Sequence, residues 1–415
     1  MQESLLREIA DEFLVPFFSG ARLKRRPAKS SAREKPVAFL DPLSIAFKVE
    51  EEDPYRLILT RSQPFEKAKG TVVPEIQVVQ AFVDVVRPMA EALSTDLRHD
   101  LLSTFQRRVV AKAISSKEER ESVLLAGIDQ LETWSERRYE GSPISATIGF
   151  RHSPQRGSVP NLAEVGKQEV SAVMSNGHDT LLEFDFAGRL ISHRSLASDE
   201  PPTQYSPLRQ APVAQWTSED ERRRRVAMCL NRLGEILVFR DARLLFAYRS
   251  GRWRFLTHDP VIKQMGTPNA PAIRKAVYET CLDASFARTG ACIGVVGSSH
   301  RAEWSDVVGE DDDLPRSASA KARLIERMVR RQPFHRLDRR LRQELTGIDG
   351  ATVLSHKGEV LAVGAILKIP GGSAGGGRLA AAKALGKLGL GIKVSQDGGI
   401  TGFRAGRSEP AFLVM

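Results

Sequence analysis

The chain has 415 residues, of which 41% are hydrophobic and 27% charged, as expected for a folded globular protein of two or three domains. Its formal net charge of +10 allows an anionic partner, but the basic residues are spread along the chain. No helix-turn-helix, zinc-finger or RNA-recognition pattern accompanies them, so we do not expect a nucleic-acid partner. The run Arg222–Arg225 is more typical of a solvated face than of a nucleic-acid clamp.

The cysteines and the N-terminus indicate the compartment. Cys229, Cys281 and Cys292 lie in apolar stretches without paired spacing, which predicts buried thiols rather than disulfides or a metal site. The first residues include Glu3 and Glu8, which is unlike a signal peptide. No stretch approaches the roughly 20 apolar residues of a membrane span. We therefore expect a cytoplasmic protein that does not contact a membrane.

Residues 1–150 are predicted to form an α+β domain, because stretches with helical and with strand-like periodicity both occur there. The predicted helices cover 2–19, 76–93 and 100–138, and the predicted strands cover 37–40, 44–49, 56–60 and 146–150.

Residues 151–265 are predicted to form a β-rich segment, which is either separate from the first domain or continuous with it. We expect a loop over 152–175, strands between 181 and 192, a helix over 220–233 and three strands between 236 and 256. The last of these strands alternates Trp253 and Phe255 with arginines. The alternation fits either a surface on which bases stack or a half-buried strand, and the second interpretation is favoured.

Residues 271–408 are predicted to form an α/β domain with a mixed sheet and flanking helices. Helical and strand-like segments alternate here from the helix at 272–287 to the strand pair near 400. Three features could carry chemistry: Asp349 ahead of a strand, the glycine run Gly371–Gly377 that leads through Arg378 into a helix, and the hairpin from Val394 to Phe403. Each is ordinary alone: Asp-Gly is commonly a turn, and the glycine run is neither a P-loop nor a Rossmann fingerprint.

In their order along the chain, these features resemble the diadenylate cyclase domain family, which includes the DNA-integrity scanning cyclases. The order is Asp349-Gly350-Ala351, a strand pair, the glycine loop with Arg378, an alanine-rich helix, and then Val394-Ser395 with Asp397. The resemblance covers about the last third of the chain. The preceding two-thirds fit the description of a sensor-like accessory region.

The resemblance implies a composite site between two ATP-bearing subunits that make cyclic di-AMP, and hence a homo-oligomer through the C-terminal domain. It implies that Asp349 is the catalytic residue and binds a divalent metal, Mg²⁺ or Mn²⁺. The residues that it assigns to nucleotide binding are Gly350, Ala351, Gly376, Gly377, Arg378 and Ser395.

The chain departs from the family pattern where phosphates should be gripped. Leu379 stands in place of a histidine, Ala380 in place of an arginine, and Gly377 in place of a threonine. Losing two such contacts, at about 2–4 kcal/mol each in the transition state, would slow phosphoryl transfer by orders of magnitude unless Lys383, Lys387 or Arg404 replaced them.

Three functions remain open, and one of them is a structural or interaction protein whose site is empty. The preferred hypothesis is that the domain binds ATP or a cyclic dinucleotide in sensing or signalling, because binding demands fewer contacts than catalysis. The alternative is an active diadenylate cyclase that condenses two ATP molecules with a divalent metal.

Overall fold

The computed structural model divides the chain into two compact units, residues 1–257 and 258–415. Both combine helices with sheets, so the protein belongs to the α/β class. No described helix has the length and apolar character needed to cross a bilayer. The described residues are 3–27, 35–50, 55–67, 73–94, 98–115, 121–155, 157–196, 205–218, 225–266, 270–300, 302–369, 376–407 and 409–415.

The first unit contains seven helices and thirteen strands in its described part. The helices are α1 (Glu3–Ile9), α2 (Glu75–Val86), α3 (Arg98–Ser103), α4 (Phe105–Ile114), α5 (Glu121–Ser135), α6 (Leu162–Lys167) and α7 (Ala211–Trp216). The strands are β1 (Arg22–Pro27), β2 (Val37–Asp41), β3 (Ser44–Phe47), β4 (Tyr55–Thr60), β5 (Arg138–Tyr139), β6 (Ser142–Pro143), β7 (Ala146–Arg151), β8 (Thr180–Asp185), β9 (Leu190–Ser195), β10 (Val226–Leu230), β11 (Ile236–Arg240), β12 (Arg243–Arg249) and β13 (Arg252–Phe255).

Three sheets organise this unit. One has the order β1-β4-β3-β2, a larger one has the order β13-β12-β11-β10-β7-β8-β9, and β5 pairs with β6. The large sheet joins β7, before residue 151, to β8–β13, after it. Residue 150 is therefore not a structural boundary, and the β-rich segment is continuous with the residues that precede it.

Two local predictions in this unit are wrong. Of the helix expected over 220–233, residues 220–224 lie outside the described residues, and Val226–Leu230 form the strand β10 instead. Every residue of β10 is buried, so its sequence lacks the alternation that identifies a strand. The segment 152–175, expected as a loop, contains α6, which begins with a capping box between Asn161 and Glu164. By contrast, Trp253 is only 2% exposed and Phe255 is also buried, which confirms the interpretation of β13 as a half-buried strand.

The second unit is built on a six-stranded mixed sheet of order β16-β15-β14-β17-β18-β19. Only the β14–β15 pair is parallel. Its helices are α8 (Asp259–Gln264), α9 (Pro271–Ala287), α10 (Ala320–Val329), α11 (Arg339–Gly347) and α12 (Gly377–Lys387). Its strands are β14 (Ala291–Val296), β15 (Ala351–Ser355), β16 (Val360–Ala365), β17 (Gly389–Val394), β18 (Ile400–Arg404) and β19 (Phe412–Val414).

The helices cover both faces of this sheet, as the alternation of side chains along β15 illustrates. Val353 belongs to a buried cluster that includes Ala382 and Leu385 of α12. Its neighbour Thr352 points the other way, and its hydroxyl donates to the carbonyl of Leu345 in α11 at 3.3 Å. On that second face, Arg339 of α11 forms a buried two-bond pair with Asp283 of α9, with both contacts at 2.8 Å.

Glycines allow α12 to approach its face of the sheet unusually closely. A Cβ on Gly391 of β17 would overlap the carbonyl oxygen of Ala382, and one on Gly294 of β14 would lie 2.8 Å from the side chain of Leu385. On the helix itself, a Cβ on Gly386 would lie 2.8 Å from the Cβ of Phe403. These contacts fix the distance of α12 from the sheet and the position of its N-terminus.

We expect Gly391→Ala to destabilise the second unit by about 3 kcal/mol or more, because the new methyl group meets helix backbone, which cannot move aside. For a unit of this size that corresponds to a fall in Tm of roughly 6–12 °C, measured by thermal unfolding. Gly377→Ala is the matched control on α12. A Cβ there meets nothing within 4 Å, so its Tm should be unchanged or slightly raised. Equal losses in both variants would contradict the close-packing argument.

Candidate functional site

The topology brings the predicted site residues to one end of the six-stranded sheet. The parallel strands β14 and β15 both begin there, and β17, which is antiparallel to β14, ends there. Asp349 precedes β15, Gly290 precedes β14 and Ser395 follows β17. Because α12 leads directly into β17 and packs along it, the N-terminus of α12 lies at this end too. We call it the Asp349 end.

Asp349 and Arg378 meet at the Asp349 end. The Arg378 Nη2 lies 3.5 Å from the Asp349 Oδ1. The Asp349 side chain is 92% exposed and that of Arg378 is 31% exposed. An ion pair this exposed contributes little to stability, so a competing anion could separate it at small cost. The arrangement therefore presents one acid and one guanidinium to solvent from two different elements.

Neighbouring backbone holds Arg378 in place. A Cβ on Gly290, whose φ is +67°, would lie 2.8 Å from the Arg378 Nη1 and 3.4 Å from the carbonyl oxygen of Val394. The Cys292 Sγ donates weakly to the Arg378 carbonyl oxygen at 3.9 Å. Burial raises the pKa of the Cys292 thiol to about 12, although Arg378 acts to lower it. The Cys292 thiol is thus a buried group that packs against the Arg378 backbone. The absence of a side chain at Gly290 leaves room for the Arg378 guanidinium.

The N-terminus of α12 offers backbone donors beside this guanidinium. The N-cap residue is Gly376, with φ +90°, and it makes no side-chain cap hydrogen bond. The N–H groups of Leu379 and Ala380 bond to the Gly376 carbonyl oxygen at 3.1 and 3.3 Å, so the donors that the described helix start offers are the N–H groups of Gly377 and Arg378. Gly376 and Gly377 are exposed, and a Cβ on either would meet nothing within 4 Å. An open helix start of this kind favours an anion. The remainder of the predicted glycine loop, Gly371–Gly375, lies outside the described residues.

Gly350 and Ala351 have roles in the fold. Gly350 has φ +106°, and its Cβ would lie 2.5 Å from the carbonyl carbon of Gly364 in β16. Gly364 has φ +57°, and its Cβ would lie 3.0 Å from the Asp349 carbonyl oxygen. The two glycines thus let the turn before β15 lie against β16, where the register shifts. Ala351 is buried, so of these three residues only Asp349 presents its side chain to solvent.

Ser395 is engaged in a turn. Its Oγ donates to the Asp397 Oδ1 and also lies 3.0 Å from the carbonyl oxygen of Gly399. The Gly399 N–H donates to the same Asp397 oxygen at 3.3 Å, and the Ser285 hydroxyl of α9 donates to the Gly398 carbonyl at 2.6 Å. The Ser395 hydroxyl, followed by the Gly399 N–H and nearby Lys393 and Arg288, holds the pKa of the Asp397 carboxyl below its usual range.

The structure does not support replacement of the missing phosphate-gripping groups. Leu379 packs against the buried cluster under α12 and supplies no polar group. Arg404 pairs with Leu390 at the opposite end of β17, and its Nη1 donates to the Gln264 carbonyl at 3.1 Å. Lys383 lies over the ring of Phe403, at 5.9 Å from its centre, and Lys387 is the last residue of α12. Arg404 and Lys387 therefore lie away from the Asp349 end, and Lys383 is directed at Phe403.

The rim of this site is apolar on the β16 side. Ile348 is 46% exposed and Ile366, just after β16, is 69% exposed. The Ile366 N–H donates to the Asp312 Oδ2 at 3.2 Å, and Lys321 pairs with the other oxygen of that carboxylate at 2.5 Å.

Within the described residues, no three His, Cys, Asp or Glu side chains come together as a metal site. Asp349 offers a single carboxylate, which would hold a Mg²⁺ ion only together with ligand phosphates.

Sequence reasoning missed the residues that shape the site from beneath. Gly290 follows α9 and provides the space over which Arg378 lies. Gly364 carried no signal, although its pairing with Gly350 fixes the backbone at Asp349. Arg288 is in a left-handed conformation, φ 58°, and its Nη1 donates to the Gln396 carbonyl at 3.3 Å. The one signal in the sequence was a glycine near the end of a strand, and a glycine does not show which side chain lies over it.

Comparison with known proteins gives little. No protein-family model matches the chain, and no curated protein matches it. Among solved structures it is similar to a crystal structure of DacA from Staphylococcus aureus, a double mutant of a diadenylate cyclase. The identity is 15% and the TM-score 0.24, with 34% of this chain and 86% of that chain covered. At this level the likeness carries no argument about function.

We expect Asp397→Asn to lower the stability of the second unit most at neutral pH. A carboxyl whose pKa is depressed by folding contributes stability above its unfolded pKa, near 3.9, and loses that contribution as the pH falls through its folded pKa. Urea midpoints of the protein and the variant should therefore differ at pH 7 and converge below about pH 4. Ser395→Ala removes the main donor and should reproduce most of the effect. A difference that is independent of pH would contradict this explanation.

Proposed function

We propose that the second unit binds a nucleotide, ATP or a cyclic dinucleotide, at the Asp349 end. The observation that carries the proposal is the convergence of Asp349 and Arg378, with 3.5 Å between Oδ1 and Nη2, beside the open N-terminus of α12. A phosphate would displace the Asp349 carboxylate from Arg378 and accept N–H bonds from the first turn of the helix. The order of motifs in the sequence supports the same assignment.

The site has separate surfaces for the two parts of a nucleotide. The cation and the helix N–H groups lie on the α12 side, where they suit phosphate oxygens. Ile348 and Ile366 lie on the β16 side, where their exposed surface suits the flat face of a base. Close packing of α12 fixes the phosphate-binding side in advance, so that little ordering would be needed on binding.

The same geometry favours binding over turnover. Phosphoryl transfer requires cations on the charge that develops in the transition state, and Arg378 is the one basic side chain described in contact with Asp349. Leu379 and Ala380 contribute none. A Mg²⁺ or Mn²⁺ ion would be held by Asp349 and by the phosphates of the ligand. The ion would reduce the repulsion between the Asp349 carboxylate and those phosphates. A homo-oligomer through this unit, and a sensing role for the first unit, stay predictions.

We expect Arg378→Ala to weaken binding of ATP or cyclic di-AMP about 10- to 100-fold, the usual effect of losing a charged hydrogen bond. Isothermal titration calorimetry on the full chain measures this. Lys387→Ala is the matched control, because it removes one positive charge from the far end of the same helix and should leave the affinity unchanged. Absence of binding by ATP, cyclic di-AMP and related dinucleotides would sink the proposal.

We expect Asp349→Asn to have opposite effects with and without metal. In EDTA the variant should bind the nucleotide at least as tightly as the parent protein, because a negative charge next to the phosphates is gone. In Mg²⁺ the parent should gain affinity and the variant should not. If both proteins respond equally to Mg²⁺, Asp349 does not hold the ion.

The alternative, an active diadenylate cyclase, is tested by incubation with ATP and Mg²⁺ or Mn²⁺ followed by chromatography. We expect that no cyclic di-AMP forms. Product that forms with the parent protein and disappears with Asp349→Asn would replace the binding role with catalysis.

A further inference from the structure

A cluster of arginines lies on α10 and just after it, outside the Asp349 end. Five charged side chains line a cavity of about 350 Å³ at the C-terminal half of this helix: Arg323, Glu326, Arg327, Arg330 and Arg331. Four arginines against one glutamate give the cavity a net charge of about +3. The volume lies in the range of small-ligand pockets.

The helical period explains how the arginines come together. Ser319 caps α10, and Ala322, Ile325 and Val329 form its buried face. Arg323 and Arg327 are four residues apart on the exposed side of α10, and Arg330 and Arg331 follow directly after the end of the helix at Val329. The buried face anchors the helix, so these guanidinium groups are presented from a fixed surface.

Contacts within the cavity do not neutralise its charge. Glu326 pairs with Arg331 at 3.0 Å, but both side chains are largely exposed, so the pair is weak. The Arg323 Nη1 donates to the Ala318 carbonyl at 2.6 Å, which leaves its charge uncompensated. Cations are favoured near a helix C-terminus, but the helix end carries only about half a charge, far less than four arginines need.

Two of these arginines lie in the left-handed turn that ends α10. Arg330 and Arg331 both have positive φ, 49° and 56°. Helices commonly end on a left-handed residue, and glycine or asparagine usually occupies that position because a larger side chain is disfavoured there. The left-handed turn directs the chain away from the helix axis at Arg330 and Arg331.

The cavity lies away from the Asp349 end. Just beyond α10, the Phe334 N–H donates to the Gly358 carbonyl at 2.7 Å. Gly358 belongs to the turn after β15, whereas Asp349 precedes β15. The chain thus reaches the opposite end of that strand within a few residues of Arg331, and the two cationic groups are distinct.

We propose that this cavity binds a compact polyphosphate anion, whose oxygens contact Arg323, Arg327, Arg330 and Arg331. Planar guanidinium groups bind phosphate oxygens with two parallel hydrogen bonds, and three to four of them match the charge of a triphosphate. The site is shallow and small, which favours a compact anion over the extended surface of a duplex or a bilayer. The proposal does not depend on the nucleotide site.

The test is titration of the full chain with inorganic tripolyphosphate, followed by calorimetry and by thermal unfolding. We expect Arg327→Gln to weaken binding at least tenfold, and Arg340→Gln, an exposed charge of the same unit outside the cavity, to leave it unchanged. Binding should persist in Arg378→Ala, which separates this cavity from the Asp349 end.

A second variant distinguishes function from folding. Arg330→Gly relieves the left-handed strain, so it should raise Tm by a few degrees in phosphate-free buffer while it weakens tripolyphosphate binding. Equal affinity of the parent protein, Arg327→Gln and Arg330→Gly would overturn the proposal.

Two further binding measurements would identify a different partner. Binding to phosphatidylserine vesicles without binding to tripolyphosphate would overturn the proposal and assign this face, together with exposed Leu324 and Met328, to a lipid surface. Binding to a 20-base-pair duplex without binding to tripolyphosphate would overturn it in favour of nucleic acid.

Discussion

The close approach of α12 to the six-stranded sheet is the constraint on which the candidate site depends. Gly391, Gly294 and Gly386 carry no side chain where helix and strands meet, so the helix backbone nearly touches β17. A helix held this way cannot slide or tilt without overlap, because packed interiors deform little. The N-terminal residue Gly377 and the neighbouring Arg378 are therefore fixed relative to the starts of β14 and β15.

The chemistry at the Asp349 end follows from that placement. Gly290 leaves space for the Arg378 guanidinium, and the Gly350–Gly364 contact presents Asp349 to solvent. The result is one cation, one acid and an open helix start, with apolar surface beside them. We propose binding rather than catalysis for this site because it offers donors for a phosphate but few cations for phosphoryl transfer.

The sequence predicted the parts of this arrangement that depend on residue order. The mixed α/β sheet of the last third follows from alternating helical and strand-like segments. Asp349 precedes the strand β15, and Arg378 lies in the first turn of α12, the helix that leads into β17. The proximity of the two residues follows from these positions. The strand β10 was misread because burial on both faces removes the alternation that marks a strand. Gly290, Gly364 and Gly391 could not be assigned, because a glycine does not identify the residue that its missing side chain would meet. The positions of Lys387 and Arg404 needed the register of β17 and β18, which the hydrophobic pattern does not give.

Hydrogen–deuterium exchange on the full chain, with and without cyclic di-AMP or ATP, tests the central claim most directly. Amide protons of the first turn of α12 and of the segment around Asp349 should become protected when the nucleotide binds, because the phosphates accept their hydrogen bonds and cover them. Protection confined to residues 1–257, or saturating ligand without any change at residues 376–380, would contradict the account.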